Sequence, residues 1–196
     1  RVEFSKDKAS AKIQLVMDEG PLTQVRRIRI TGNKDFSSLQ LVNVISLNTN
    51  APLRLPLLEK SISELKEFYL KQGYLEMQLL NENENLITYN DSGTEANINF
   101  RIYEGPQIVV QAISIEGNDF THSEVILKEL DLKVGEVLTV DKFEQATRRL
   151  NRLGLFSRVS LRTLEEGTTI ANRTVVISIS ERKPGLFRSG VGLTSE

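Results

Sequence analysis

An internal repeat constrains the fold of this 196-residue chain more than any other feature of its sequence. The tripeptide Glu-Gly-Pro at 19–21 recurs at 104–106, and the segment 25–33 recurs at the same offset as 110–118. Further shared features follow each copy in the same order. Similarity at a fixed period indicates a repeated structural unit, and this period is the length of a small domain. The sequence therefore predicts two successive copies of one domain.

The repeat predicts four segments along the chain. Unit one spans 21–105 and unit two spans 106–184. Residues 1–20 contain an alternating stretch before the first Glu-Gly-Pro, so we expect them to be the closing hairpin of a preceding unit in a longer protein. In 185–196, apolar residues alternate with Arg, Gly and Ser. We expect this segment to be a linker and a candidate first strand of a C-terminal β-barrel, although an exposed tail could show the same pattern.

Each unit shows the same order of secondary-structure signals. A first strand alternates isoleucine with polar residues, two helix patterns follow, and two strands close the unit. The helices are predicted to begin near 39, 56, 123 and 141, and the closing strands to span 74–80 with 95–103 and 156–163 with 173–180. The chain is therefore predicted to be α+β, with tandem two-layer β-α-α-β-β domains. Each domain is a three-stranded mixed sheet covered by two antiparallel helices.

Short local motifs predict where the helices begin and end. A hydroxyl residue followed three positions later by Gln or Glu fits a capping box, in which each side chain satisfies the other's backbone N–H. These pairs are Ser37 with Gln40 and Thr121 with Glu124. Gly73 and Gly154 lie where the second helix of each unit should end in a left-handed residue.

Composition and charge exclude several classes of function. The chain has 25 Lys and Arg against 26 Asp and Glu, no cysteine and one histidine. The balanced charge argues against a nucleic-acid partner, and the lack of cysteine removes thiol catalysis and thiolate metal sites. Asp141 and Glu144 could form the carboxylate pair of an enzyme, but their spacing at a helix start is typical of dipole matching. We therefore predict no catalytic, cofactor-binding or metal-binding residues.

A set of short motifs occurs in matching order in the two units. They are the strand ends at 30–33 and 115–118, the segments 69–74 and 154–159, and the Glu-Gly-Pro junctions. Together they resemble a pair of POTRA (polypeptide-transport-associated) domains from the BamA/TamA outer-membrane assembly family. The resemblance covers nearly the whole chain. One departure is 180–185, where Ser-Glu-Arg-Lys-Pro-Gly replaces Glu-Gly-Pro, which suits a junction to something other than another unit.

The resemblance implies a place on the periplasmic face of the bacterial outer membrane, with unit two next to a C-terminal barrel. It implies a docking module of a β-barrel assembly protein. The expected partners are unfolded β-barrel outer-membrane proteins, with accessory assembly lipoproteins or periplasmic chaperones. An alternative is the same module in a secretion or translocation barrel that exports or imports one polypeptide. A relative from an organellar outer envelope is a further alternative.

Backbone pairing at a sheet edge is the mechanism that we expect. An extended segment can add to an exposed edge strand through main-chain hydrogen bonds, largely regardless of its sequence. In the family the last strand is central and the second is an edge. The predicted client-binding residues are Leu75, Glu76, Met77, Gln78 and Leu79 in unit one, and Ser157, Arg158, Val159, Ser160, Leu161 and Arg162 in unit two. The same strands could instead be solvated edges whose charges prevent aggregation.

A basic stripe on the second helix of unit two is a candidate contact surface. Arg148, Arg149 and Arg152 would lie on one side of that helix and could contact an acidic partner or lipid headgroups. A solvated helix face would show the same pattern.

Overall fold

The computed structural model describes residues 2–4, 11–13, 15 and 22–182. A small antiparallel hairpin of β1 (Val2–Phe4) and β2 (Ala11–Ile13) comes first. It agrees with a hairpin in 1–20, and the assignment of that hairpin to a preceding unit stays a prediction. The predicted linker and barrel strand at 185–196 lie outside the described residues. None of the helices in the described part of the chain has the length and apolar character needed to cross a membrane.

Unit one has the predicted β-α-α-β-β order with one additional strand. Its elements are β3 (Gln24–Thr31), α1 (Ser38–Val44), α2 (Leu55–Lys71), β4 (Gln78–Leu79), β5 (Ile87–Tyr89) and β6 (Glu95–Tyr103). The central strand, β6, is parallel to β3 on one side and antiparallel to β4 and β5 on the other. The sequence did not predict β5, because three residues are too few to show a period of two.

Unit two has the predicted order without additions. Its elements are β7 (Val109–Glu116), α3 (Ser123–Leu130), α4 (Val140–Arg152), β8 (Phe156–Thr163) and β9 (Asn172–Glu181). The strand order is β7-β9-β8, with β9 parallel to β7 and antiparallel to β8. Both units therefore have a mixed sheet with the last strand in the centre, and the predicted fold class is confirmed.

Each unit has its own core between the sheet and the two helices. In unit one, Ile98 and Phe100 of β6 pack in the same buried cluster as Leu65 of α2. In unit two, Ile177 of β9 shares a buried cluster with Leu150 of α4. Apolar side chains at three- and four-residue spacing turn one stripe of each long helix towards the sheet. Burial of these stripes is the main force that holds each two-layer unit together.

The repeated Gly-Asn turn packs against the central strand in both units. Gly32 and Gly117 follow the first strand of their unit with φ of +89° and +82°. A Cβ on Gly32 would lie 1.9 Å from the Ile102 carbonyl oxygen, and one on Gly117 would lie 2.2 Å from that of Ile179. Both the left-handed backbone and the close approach therefore require glycine.

A glutamate at the end of the central strand holds the same turn. The Glu104 carboxylate, which is buried, accepts hydrogen bonds from the Lys34 N–H at 2.8 Å and the Tyr69 hydroxyl at 2.8 Å. In unit two, the Glu181 carboxylate accepts from the Thr121 N–H at 2.7 Å. The departure from Glu-Gly-Pro at 180–185 thus retains the glutamate and its structural role.

The helix ends agree with the sequence except at the start of α3. The capping box of Ser37 with Gln40 is present, and the glycines after α2 and α4 have positive φ, as predicted. The predicted box of Thr121 with Glu124 is wrong. His122 is the N-cap residue of α3 and makes no side-chain capping bond, which places Thr121 one position too early.

Candidate functional site

In unit two, β8 is a continuous edge strand of eight residues. It pairs with β9, and no other strand in the described residues pairs with it. A register shift between Phe156 and Arg158 is its one irregularity. The predicted edge residues 157–162 all lie in this strand, and their binding of a client stays a prediction.

Three residues of β8 direct their backbone groups away from β9. The Leu164 N–H donates to the Thr174 carbonyl at 3.1 Å, and this bond fixes the alternation of hydrogen-bonded and non-bonded pairs along the two strands. By that alternation Val159, Leu161 and Thr163 form the non-bonded pairs. Their N–H and C=O groups face outward at the edge, and their side chains lie on the more buried side of the strand.

The opposite edge of each sheet is partly covered. The loop before α2 pairs with the start of β3, where the Val25 N–H donates to the Ala51 carbonyl at 2.9 Å. The loop before α4 does the same at β7, where the Val110 N–H donates to the Glu136 carbonyl at 2.9 Å. These loops leave β8 as the longer uncovered edge in unit two.

The equivalent edge of unit one is interrupted by Asn81. Its amide group donates to the Asn99 carbonyl at 2.8 Å and accepts from the Arg101 N–H at 2.9 Å. The side chain thus takes two backbone positions of β6 that a neighbouring strand would occupy. The main chain leaves the sheet after β4 and returns at β5, so this edge is two short strands separated by a turn.

The prediction of an edge strand at 75–79 is therefore wrong for Leu75, Glu76 and Met77. Only Gln78 and Leu79 form β4, and the three residues before them are turn or coil. Leu75 packs against the core of unit two, and Met77 packs against that of unit one. Leu75 and Glu76 lie at the junction of the units, because the chain that follows the end of α2 at Lys71 runs beside unit two.

A buried ion pair joins the two units. The Arg173 guanidinium lies 2.5 Å from the Glu76 carboxylate, and the Arg173 side chain is 1 % exposed. The same Glu76 oxygen accepts from the Gly167 N–H at 2.7 Å. The hydrogen bond from Arg173 lowers the pKa of Glu76 and outweighs the opposing effect of partial burial. Every buried side-chain polar atom in the described residues has a hydrogen-bond partner, and those of Arg173 include the Glu76 carboxylate.

Backbone contacts also tie the end of α2 to unit two. The Ile108 N–H donates to the Gly73 carbonyl at 2.9 Å, and the Gln107 side chain donates to the Gln72 carbonyl at 2.8 Å. A Cβ on Gly73 would lie 2.4 Å from a Val137 methyl group. The glycine that ends α2 therefore also permits close approach of unit two.

The sequence analysis did not identify Arg173 or Asn81 as important. Only Arg173 could have been recognised from its position in the sequence pattern. In β9, every second position from 173 to 179 is buried, and arginine occupies the first of them, followed by valine and isoleucine. A charged residue in the inward phase of a strand indicates a buried partner. Asn81 lies in a polar stretch, 81–85, where nothing distinguishes it from its neighbours.

The basic stripe on α4 is largely paired within the unit. Arg148 lies 2.9 Å from Glu144, and Arg149 lies 2.9 Å from Asp131. Arg152 is exposed in the last turn. Contact of the stripe with a partner stays a prediction. In the described residues, no three His, Cys, Asp or Glu side chains are grouped as metal ligands would be.

The sequence matches the profile of the POTRA family, described as "Surface antigen variable number repeat", at residues 23–105 and 108–182. The chain belongs to the POTRA family. The two matched segments are the two structural units, and the resemblance seen in the sequence is confirmed. The β-α-α-β-β order with a central last strand is thus the POTRA fold in both units.

Relatives of these POTRA domains include long proteins. The chain is 29% identical, over 89% of its length, to a candidate outer membrane protein assembly factor of Treponema pallidum. It is 23% identical, over 76% of its length, to the outer membrane protein assembly factor BamA of Buchnera aphidicola. It spans 21% of the first protein and 25% of the second.

Solved structures show the same fold. POTRA domains 3–5 of Haemophilus influenzae BamA match with a TM-score of 0.62 at 21% identity, covering 92% of this chain and 70% of that one. Haemophilus ducreyi BamA lacking POTRA domains 1–3 matches with a TM-score of 0.66 at 22% identity, covering 81% of this chain and 29% of that one.

Proposed function

We propose that this chain is a periplasmic docking module of an outer-membrane β-barrel assembly protein, and that it binds unfolded outer-membrane protein clients by adding a client strand to β8. Membership of the POTRA family and similarity to BamA proteins support the setting. Accessory assembly lipoproteins or periplasmic chaperones are further partners of such a module. A C-terminal barrel in the full-length protein would place the module at the periplasmic face of the outer membrane.

The observation that carries the proposal is the outward set of backbone groups on β8. Val159, Leu161 and Thr163 offer N–H and C=O groups at spacing of two, which is the pattern that an added strand needs. Main-chain pairing recognises extended backbone and is tolerant of sequence, as a module with many clients requires. Affinity should be weak, because the client loses conformational freedom on binding.

The edge of unit one is the weaker candidate. β4 contributes two residues, and Asn81 already bonds to the part of β6 beyond them. A client strand would have to pair across the turn that separates β4 from β5. Gln78 and Leu79 therefore offer less continuous backbone than β8 does.

The test is a peptide titration of the isotopically labelled chain, followed by NMR, with a peptide from a transmembrane strand of a barrel protein. We expect the largest amide shifts at 159–163. Val159→Pro removes an outward N–H without breaking the bonds to β9, so it should weaken binding about tenfold. Val159→Thr keeps the N–H and the branched side chain and should bind like wild type. Shifts on the helices alone, or equal binding by both variants, would overturn the proposal.

A further inference from the structure

A cavity of about 270 Å³ lies at the Thr163 end of the β8 edge. Three consecutive strand residues, Leu161, Arg162 and Thr163, line it. Neighbouring side chains point to opposite faces of a strand, so a cavity that touches three in a row reaches the edge of the strand. The α4 residues Val140 and Phe143 in its lining place it on the helix side of the sheet. We call this cavity the edge pocket.

Most of the surface that lines the edge pocket is apolar, and it comes from both units. The apolar lining residues include Val140 and Phe143 of α4 and Leu70 and Leu75 of unit one. All four are only partly buried, so they present apolar surface to the pocket.

The charged groups around the edge pocket balance each other. Glu76 and Arg173 line it and are already paired at 2.5 Å. The remaining charges are Arg162 and Glu166, which have opposite signs. The pocket therefore carries no net charge that would favour an acidic or a basic occupant.

We propose that the edge pocket receives one bulky apolar side chain of a polypeptide strand paired with β8. This inference rests on the proposed function, because the occupant arrives on an added strand. A strand next to β8 lies about 4.8 Å away, so it passes the mouth of the pocket. The volume is below the usual range of small-molecule sites, about 300–1,000 Å³, and suits a single large side chain.

Backbone pairing at the β8 edge is otherwise tolerant of sequence. The pocket adds a preference for a large apolar side chain and fixes the register of the added strand. On an added strand, side chains opposite Leu161 and Thr163 turn towards the helix layer, where the pocket lies. Leu75 and Glu76 of unit one also line the pocket, so unit one lies close to this end of β8. The preferred guest is therefore an extended segment with a large apolar residue opposite the Thr163 end and tolerant positions elsewhere.

The test compares two peptides that differ at one position, Phe or Ser, in an otherwise identical strand-forming sequence. Burial of one aromatic side chain should make the Phe peptide bind the wild-type chain about tenfold more tightly. Leu70 belongs to neither core cluster, so Leu70→Trp should fill the pocket from unit one and remove the preference for Phe over Ser. Leu127→Trp, at an exposed position on α3, is the matched control and should keep the preference.

The outcomes separate the pocket from the edge. Equal affinities of the two peptides for wild type, with shifts at 159–163 for both, would overturn the pocket and retain strand addition at β8. A preference that survives Leu70→Trp would also overturn the pocket. Absence of shifts at 159–163 with both peptides would overturn the pocket together with the proposed function.

Discussion

Glu76 of unit one and Arg173 of unit two form an ion pair 2.5 Å long across the junction, and the Arg173 side chain is 1 % exposed. A buried charge without its partner is strongly destabilising, whereas an exposed pair contributes little. We therefore expect Glu76→Gln to lower the free energy of unfolding of unit two by about 3 kcal/mol. Urea denaturation monitored in unit two measures this change.

The control for this pair is Glu67→Gln, which removes the exposed ion pair of Glu67 with Lys71. It should change stability by no more than about 0.5 kcal/mol. Equal effects of the two substitutions would show that the junction pair is solvated in solution.

The Glu76–Arg173 pair also predicts that the stability of unit two depends on pH. Arg173 holds the pKa of Glu76 below its ordinary value of 4.5. A carboxyl whose pKa is lowered on folding stabilises the folded state above its unfolded pKa, and this stabilisation is lost as pH falls through the folded pKa. We expect stability of unit two to fall below about pH 4.5 more steeply in wild type than in Glu76→Gln. Parallel curves of the two proteins from pH 6 to about pH 3 would contradict this.

Loss of the buried Glu104 carboxylate should lower the stability of unit one more than loss of any one of its hydrogen-bond donors. Glu104→Gln puts an N–H₂ group or a neutral oxygen against the Lys34 N–H and the Tyr69 hydroxyl, and we expect a loss of about 2 kcal/mol. Tyr69→Phe removes one hydrogen bond and should cost about 1 kcal/mol. Thermal unfolding of unit one ranks the two variants, and a larger loss for Tyr69→Phe would refute the proposed role of Glu104.

Substitution of the turn glycines, Gly32 and Gly117, by alanine should cost more stability than the same substitution at other glycines with positive φ. Gly135→Ala meets no atom within 4 Å and should cost about 1–2 kcal/mol for its left-handed backbone alone. Gly117→Ala also drives a Cβ against the Ile179 carbonyl, so it should lose a further 1–3 kcal/mol or so. Chemical denaturation of both variants in the same buffer tests the difference, and equal losses would contradict it.

The junction should bend little in solution. The ion pair, the Ile108 bond to Gly73 and the packing of Leu75 on unit two all act on the same short connection. Small-angle scattering should therefore give a narrow distribution of distances between the units. The double substitution Leu75→Ala with Glu76→Gln should broaden it, and a broad distribution already in wild type would contradict a stiff junction.

The sequence predicts the units well because their signals are long and periodic. The alternation around Ile177 and the helical spacing through Leu65 span enough residues to identify strand and helix. Because each predicted element occurs once in each unit, the two copies support each other's assignment. The predicted bounds of β8, 156–163, agree with the structure.

The interrupted edge of unit one and the ion pair at the junction could not be predicted from local sequence, because each depends on contacts between residues distant in the chain. Asn81 is one asparagine among several until β6 lies beside it, and Glu76 resembles an edge charge until Arg173 faces it. The apolar Leu75 also fitted a strand pattern, although its partner surface is the neighbouring unit. Tertiary context decides such positions, and local pattern does not.

The side chain of Asn81 gives the duplicated architecture a consequence for valency. Two identical edges in neighbouring units could hold one guest at two points and gain avidity. Because Asn81 interrupts the edge of unit one, the proposed strand addition would take place mainly at β8. A guest held at that single edge would dissociate in one step, without the avidity of a second attachment.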